Sequence, residues 1–329
     1  MKIALAGKPG CGRSTLFRAL AGSGDADTGK PLTVEVPDSR LDFLAEVHRP
    51  EKKVCARVVF TDVPSPATAP KNLGLLRTAA VIALVIDNYA LGDLVSDFQE
   101  LESELILGDL AICEKRLARL TREGSGSSRE ATVLARTMRH MEEGLPLRVM
   151  DLDAAELDIL SPYSLLSRKP LVVIPNRMGD PVTPEEELKG QVEAHSGVMV
   201  PVDAGFELEL TEIEESERQP FLESMGYSTD GLHRLIRTAY GLLDLIVFFT
   251  VGSDEVRAWP VRNGSCALEA AGAIHSDMAR GFIRAVVASW EDYSETPDRS
   301  ALRDAGTLRI EGRDYRVRDG DVIEIRFSV

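Results

Sequence analysis

A glycine-rich turn near the start of the chain places the strongest constraint on the fold. Residues 7–14 read Gly-Lys-Pro-Gly-Cys-Gly-Arg-Ser and follow the apolar run 3–6 directly. This is the spacing of a phosphate-binding P-loop, in which backbone N–H groups converge on phosphate oxygens and a helix N-terminus points at the same anion. A helix predicted to start near Ser14 completes the strand–loop–helix order. The sequence therefore predicts an α/β P-loop fold.

The key charge of this motif is altered. Arg13 stands where the P-loop has lysine. A lysine ammonium reaches the β- and γ-phosphates as a compact point charge, whereas a guanidinium is planar, bulkier and directional. We expect nucleotide binding to tolerate this change better than phosphoryl transfer does. Two roles stay open for Arg13: it binds phosphate, or it pairs with a carboxylate such as Asp62 in the absence of nucleotide.

Composition and charge exclude several classes of protein. A chain of 329 residues is long enough for two or three domains. The net charge of −15 argues against a general grip on the nucleic-acid backbone. The four cysteines lack the spacing of a zinc site or a disulfide framework. No apolar segment has the length of a membrane helix, so we expect a soluble, cytoplasmic protein.

Changes of pattern along the chain predict three parts. Short apolar runs predict the buried strands of a mostly parallel sheet, at residues 58–60, 81–86 and 171–174. Two long amphipathic stretches joined by a Gly/Ser turn predict a helical hairpin, either an antiparallel coiled coil or two packed surface helices. Short strands from Leu245 onward predict a separate β-grasp-like domain. The predicted parts are a nucleotide-binding domain (1–92 and 165–244), the inserted hairpin (93–164) and a C-terminal domain (245–329).

The C-terminal residues carry a specific resemblance. Residues 249–252 (Phe-Thr-Val-Gly), 281–285 (Gly-Phe-Ile-Arg-Ala) and 309–315 (Arg-Ile-Glu-Gly-Arg-Asp-Tyr) are similar to the TGS domain of the YchF family, which belongs to the Obg-related P-loop NTPases. Residues 36–42, 104–110 and 231–236 resemble the same proteins, so the similarity covers nearly the entire chain.

The resemblance carries expectations about function. YchF proteins are cytoplasmic, ATP-preferring hydrolases that associate with ribosomes, with a helical insertion in the nucleotide domain and a C-terminal TGS domain. The resemblance implies ATP rather than GTP as the ligand and Mg²⁺ held by Ser14 and Asp62. It also implies the ribosome or another translation component as the partner. No membrane and no extensive free nucleic acid are expected as partners. The implied nucleotide-binding residues are Gly7, Pro9, Gly10, Cys11, Gly12, Arg13, Ser14, Thr15 and Asn176.

Several residues depart from the pattern of the family. Where a strand should end in Asp-x-x-Gly, residues 62–66 read Asp-Val-Pro-Ser-Pro, and the two prolines and the serine remove the backbone flexibility and donors that would sense the γ-phosphate. Asn176 begins the base-recognition segment and either hydrogen-bonds a purine edge or caps a turn. Gly179 replaces the acidic residue of that segment, and Asp180 is one position late. Base preference is therefore weakly specified.

Two functional hypotheses follow. The favoured one is a nucleotide-binding module, a pseudo-NTPase that has weak or no hydrolysis and presents its hairpin and TGS domain to a ribosomal or other protein partner. The alternative is a slow ATPase or GTPase that couples hydrolysis to a conformational cycle on the ribosome. A basic face for such a partner is predicted at Arg257, Arg262, Arg280 and Arg284, for which ordinary surface exposure is the other interpretation.

Overall fold

The protein was analysed as a computed structural model, which describes residues 1–22, 24–67, 69–90, 92–179, 181, 183–225 and 231–328. Asp180 lies outside the described residues. The strands are β1 (Lys2–Gly7), β2 (Leu32–Glu35), β3 (Lys52–Val54), β4 (Arg57–Asp62), β5 (Val81–Asp87), β6 (Leu171–Asn176), β7 (Val198–Met199), β8 (Leu245–Val251), β9 (Glu255–Arg262), β10 (Phe282–Ala288), β11 (Arg309–Glu311) and β12 (Val322–Phe327).

α-Helices lie between these strands along the chain. They are α1 (Arg13–Leu20), α2 (Ser39–His48), α3 (Pro70–Thr78), α4 (Leu94–Arg122), α5 (Arg129–Glu142), α6 (Ala154–Leu160), α7 (Glu186–Ala194), α8 (Ala204–Leu210), α9 (Glu215–Ser224), α10 (Gly231–Gly241), α11 (Ala267–Ile274), α12 (Ser276–Arg280), α13 (Trp290–Glu295) and α14 (Arg299–Asp304). Short 3₁₀ turns lie at Leu147–Val149 and Ser161–Tyr163. In the described part of the chain, no helix combines the length and apolarity needed to span a membrane.

The chain forms two compact units, of which the first comprises Met1–Val34 and Val58–Ala239. Its sheet has the order β2-β4-β1-β5-β6-β7. β1 pairs in parallel with β4 and β5, and β6 pairs in parallel with β5 and β7. β5 and β6 are almost continuously apolar and buried, as parallel strands covered on both faces must be. The predicted mostly parallel α/β fold is confirmed.

The hairpin of α4 and α5 belongs to the first unit. Asp93 and Ser128 cap the two helices through their side chains, and Gly124 adopts a φ of +75° just after α4, where a left-handed conformation favours glycine. The apolar stripes meet in a core of their own, which also takes in residues from the 3₁₀ turns and α6, including Leu147 and Leu160. The predicted hairpin is therefore present, and its apolar face also packs against residues 147–165.

The second unit comprises Glu35–Arg57 and Tyr240–Val329. Its mixed sheet has the order β11-β10-β12-β8-β9-β3, with β8 antiparallel to β9 and parallel to β12. β3 adds to the edge by pairing in parallel with β9. Helix α11 lies over a core that includes Phe248, Val287 and Ile323. Residues 35–57 thus group with the C-terminal residues, whereas the sequence-based division assigned them to the nucleotide-binding domain; that three-part division stays a prediction.

Candidate functional site

The candidate site lies at the carboxyl edge of the parallel sheet in the first unit. The turn after β1 occupies the centre of this edge, and Asp62 and Asn176 end the strands β4 and β6. Because the carboxyl ends of neighbouring parallel strands meet at one edge, residues far apart in sequence converge there. The predicted residues 7–15, Asp62 and Asn176 are thus brought together.

The turn has the backbone that a P-loop requires. Gly10 and Gly12 adopt φ values of +85° and +83°, which side-chain-bearing residues rarely tolerate. A Cβ on Gly7 would lie 2.5 Å from the carbonyl oxygen of Val85, so the close approach of β1 and β5 also requires glycine. Helix α1 begins at Arg13, and its N-cap, Gly12, has no side chain to bond the first N–H groups. An anion at this helix end would meet backbone N–H donors and the positive end of the helix dipole.

Arg13 does not extend over the turn but folds back towards the next strand. Its Nε forms an ion pair with Asp62 Oδ1. Its Nη1 donates hydrogen bonds to Ser65 Oγ at 3.0 Å and to the carbonyl oxygen of Gly7 at 3.3 Å. The side chain is only 13% exposed. Of the two roles left open by the sequence, the structure displays the ion pair with Asp62.

Asp62 has the position of a magnesium-binding aspartate but already has a cation beside it. Its side chain is 6% exposed. Burial raises the pKa of Asp62, and the charge and hydrogen bond of Arg13 act in the opposite direction. Ser14 Oγ donates to Asp62 Oδ2 at 3.4 Å. Among the residues that the structure describes, no group of three or more His, Cys, Asp or Glu side chains could hold a metal ion. In this arrangement the residues do not fit magnesium, because a guanidinium neutralises the one carboxylate.

Ser65 replaces the glycine that the family pattern has after the aspartate, and it supports the turn. Its hydroxyl donates to the carbonyl oxygen of Gly7 at 2.5 Å. Asn72 holds the same segment from behind, with Nδ2 donating to the carbonyl oxygens of Pro64 at 2.8 Å and Pro66 at 2.9 Å. The segment after β4 is therefore fastened to the turn and to α3.

Asn176 spans the turn and the start of α8. Its Nδ2 donates to the carbonyl oxygen of Cys11 at 3.0 Å, and its Oδ1 accepts from the N–H of Ala204 at 2.9 Å. A Cβ on Gly12 would overlap the Asn176 amide nitrogen, so the glycine is needed for this contact as well. Asn176 is 4% exposed and its amide is already bonded at both ends. In this structure the side chain positions the turn, and its amide retains one N–H and one lone pair, so base recognition by Asn176 stays a prediction.

Two further residues, Lys8 within the turn and Tyr89 after β5, fix the position of the turn, and neither was predicted from the sequence. Lys8 Nζ pairs with Asp97 at 2.6 Å and with Glu100 on α4, and these hydrogen bonds raise the pKa of Lys8. The Tyr89 hydroxyl donates to the carbonyl oxygen of Gly10. The only available signal was the spacing of the two acidic residues, which places them on one face of a helix. The Lys8 ammonium is therefore held in ion pairs with α4.

A cavity of about 170 Å³ lies between the segment that follows β6 and helix α8. Arg177 lines it and is ion-paired with Glu185. The N–H of Gly179 donates to Asp203 Oδ2 at 2.7 Å. Gly179 supplies no carboxylate at its own position, Asp180 lies outside the described residues, and the Asp203 carboxylate accepts from the backbone N–H groups of Gly179 and Phe206.

Comparisons with known proteins agree with this architecture. Residues 245–328 match the family described as "YchF-GTPase_C: Protein of unknown function (DUF933)". Among similar curated proteins is the "Ribosome-binding ATPase YchF" of Haemophilus influenzae, 35% identical over 100% of this chain and 99% of that protein. The Bacillus subtilis protein of the same title is 33% identical over 99% of this chain and 98% of that one. The solved structure of the Schizosaccharomyces pombe YchF GTPase has a TM-score of 0.91 and 25% identity, covering 99% of this chain and 97% of that one.

Proposed function

The chain belongs to the YchF family, and on that premise we propose that it binds nucleotide at the turn after β1, ATP in preference to GTP, with hydrolysis weak or lost. We further propose that it works in the cytoplasm with the ribosome or another translation component as its partner. The titles of the relatives from Haemophilus influenzae and Bacillus subtilis, "Ribosome-binding ATPase YchF", support the choice of nucleotide and partner.

One observation carries the proposal that hydrolysis is weak. The guanidinium of Arg13 is engaged by Asp62, Ser65 and Gly7 rather than projecting over the turn. A phosphoryl transition state needs a positive charge on the β- and γ-phosphates, and removing one such group commonly lowers the rate about a hundredfold or more. The replacement of the family's glycine by Ser65 removes a second part of the catalytic machinery, the backbone that would sense the γ-phosphate. The loss of both predicts very slow turnover.

Nucleotide binding requires fewer groups of the site than hydrolysis does. The phosphate groups would be met by the backbone N–H groups of residues 7–15, apart from Pro9, which has none, and by the N-terminus of α1, and these do not depend on a lysine. The proposed binding residues are Gly7, Pro9, Gly10, Cys11, Gly12, Arg13, Ser14 and Thr15, with Asn176 holding the turn in place. Gly179 has no side chain to pair with either a guanine or an adenine edge, so the preference for ATP is supported by the names of the relatives alone.

Calorimetric titration of the full-length, nucleotide-stripped protein with ATP, GTP, ADP and GDP tests the proposal. Arg13→Lys is the informative variant. Arg18→Lys is its matched control, because Arg18 lies exposed on the same helix α1. We expect the natural protein and the control to bind ATP with negligible turnover, and Arg13→Lys to raise turnover about tenfold or more. Absence of binding by every form would refute the proposal, and so would rapid turnover by the natural protein.

A slow, functional NTPase is the second candidate, because Ser14 and Asp62 remain adjacent, with Ser14 Oγ 3.4 Å from Asp62 Oδ2. This hypothesis differs in one measurable respect. It predicts turnover by the natural protein that purified ribosomes accelerate, whereas the favoured proposal predicts ribosome binding without acceleration. Co-sedimentation with ribosomes, combined with a phosphate-release assay, separates the two.

A further inference from the structure

The ion pair between Arg13 and Asp62 bears on whether nucleotide binding at this site requires magnesium. We propose that the guanidinium of Arg13 takes the place of the divalent cation beside Asp62, so that the protein binds nucleoside triphosphates without needing magnesium. The inference rests on the proposed nucleotide binding, and it adds the ionic requirement of that site.

The first support is the way in which the carboxylate is neutralised. Asp62 is a buried carboxylate, and a buried charge needs a partner of opposite sign. Arg13 supplies that partner from the adjacent helix α1, and its own side chain is 13% exposed. A metal ion bound to Asp62 would have to displace a guanidinium that is itself largely buried.

The second support is that the guanidinium is held by several acceptors. Besides Asp62, it donates to Ser65 Oγ at 3.0 Å and to the carbonyl oxygen of Gly7 at 3.3 Å. A guanidinium presents five N–H donors in a rigid fork and can serve these acceptors together, whereas an ammonium is a single point charge. The serine that replaces the expected glycine is therefore part of the arrangement, since it provides one of the acceptors.

The third support is the shortage of other ligands for a metal. The Lys8 ammonium beside the turn is already paired with Asp97 and Glu100, which are thereby engaged. No cluster of three His, Cys, Asp or Glu side chains suited to a metal occurs within the described ranges. Magnesium bound through one carboxylate and a hydroxyl depends on the carboxylate being available, and here Asp62 is paired with Arg13.

Two measurements on the full-length protein test the proposal, and the first needs no nucleotide. The thermal midpoint of the stripped protein is compared in magnesium chloride and in EDTA at equal ionic strength, for the natural protein, Arg13→Gln and Arg18→Gln. We expect magnesium to raise the midpoint of Arg13→Gln, in which Asp62 has lost its cation, and to leave the other two unchanged. If Arg13→Gln does not fold, Arg13→Ala, which likewise leaves Asp62 without a cation, serves in its place. A rise in the natural protein that Asp62→Asn abolishes would overturn the proposal.

The second measurement is the dissociation constant of a non-hydrolysable ATP analogue in magnesium and in EDTA. We expect the natural protein and Arg18→Lys to bind no more than about threefold more weakly in EDTA, and Arg13→Lys to lose about tenfold or more. Binding of the natural protein only in magnesium would overturn this inference and leave the proposed nucleotide binding intact. No binding under either condition would overturn both.

Discussion

Replacing Asn176 with alanine should destabilise the protein even when no nucleotide is present. The side chain joins two buried backbone groups, the carbonyl oxygen of Cys11 at 3.0 Å and the N–H of Ala204 at 2.9 Å. Cys11 and Ala204 are 3% and 1% exposed, so water has little access to either group after the substitution. A residue that only reads a base would not have this effect, because its contacts would be absent without nucleotide.

The expected magnitude follows from the two partners left behind. A buried polar group that loses its hydrogen-bond partner costs about 1–3 kcal/mol, so the loss of two partners in Asn176→Ala should lower the free energy of unfolding by about 2–6 kcal/mol. Asn263→Ala is the matched control, because Asn263 is exposed and its amide bonds an exposed carboxylate at 3.3 Å. Such a surface substitution should change the free energy by no more than about 0.5 kcal/mol.

Urea denaturation of the nucleotide-free protein measures this loss. Both tryptophans, Trp259 and Trp290, lie in the second unit, so their fluorescence follows that unit, while far-UV circular dichroism follows both. The loss should appear in circular dichroism and leave the tryptophan transition less affected. If Asn176→Ala behaves like Asn263→Ala, the assignment of Asn176 as a positioning residue is wrong.

Two further predictions concern other parts of the chain. Glu102→Gln should lower the free energy of unfolding by about 3–5 kcal/mol, because Glu102 and Arg148 form a buried pair at 2.7 Å. Glu123→Gln is the control, because Glu123 belongs to an exposed ion pair on one helix, and it should lower the free energy by about 0.5 kcal/mol or less. Equal losses of the two variants in urea denaturation would contradict this reasoning. Burial and the hydrogen bond to Asp321 raise the pKa of Tyr315 to about 12, so the folded state keeps a proton that the unfolded state releases near pH 10. The free energy of unfolding should therefore fall as the pH rises from 10 to about 12, and ultraviolet titration of the natural protein against Tyr315→Phe should show a tyrosine ionising at the upper end of that range rather than near its ordinary value.

The sequence determined those features that depend on local backbone geometry and on periodicity. Gly10 and Gly12 stand where the turn needs a positive φ, and this requirement can be recognised from the local sequence alone. The amphipathic stretches that became α4 and α5 were recognisable because burial of one face imposes a helical period, and the Gly/Ser turn between them breaks it. These local signals were sufficient for the fold class and the family resemblance, both of which are confirmed.

Only the tertiary structure decided how distant residues pair. The ion pair of Arg13 with Asp62 could not be read from either residue alone, because their contact depends on how β4 lies beside β1. The attachment of Lys8 to α4 and the pairing of β3 with β9 have the same origin. Propensity and period act over a few residues, whereas these contacts depend on which elements the buried core brings together, and that is set by packing of the whole unit.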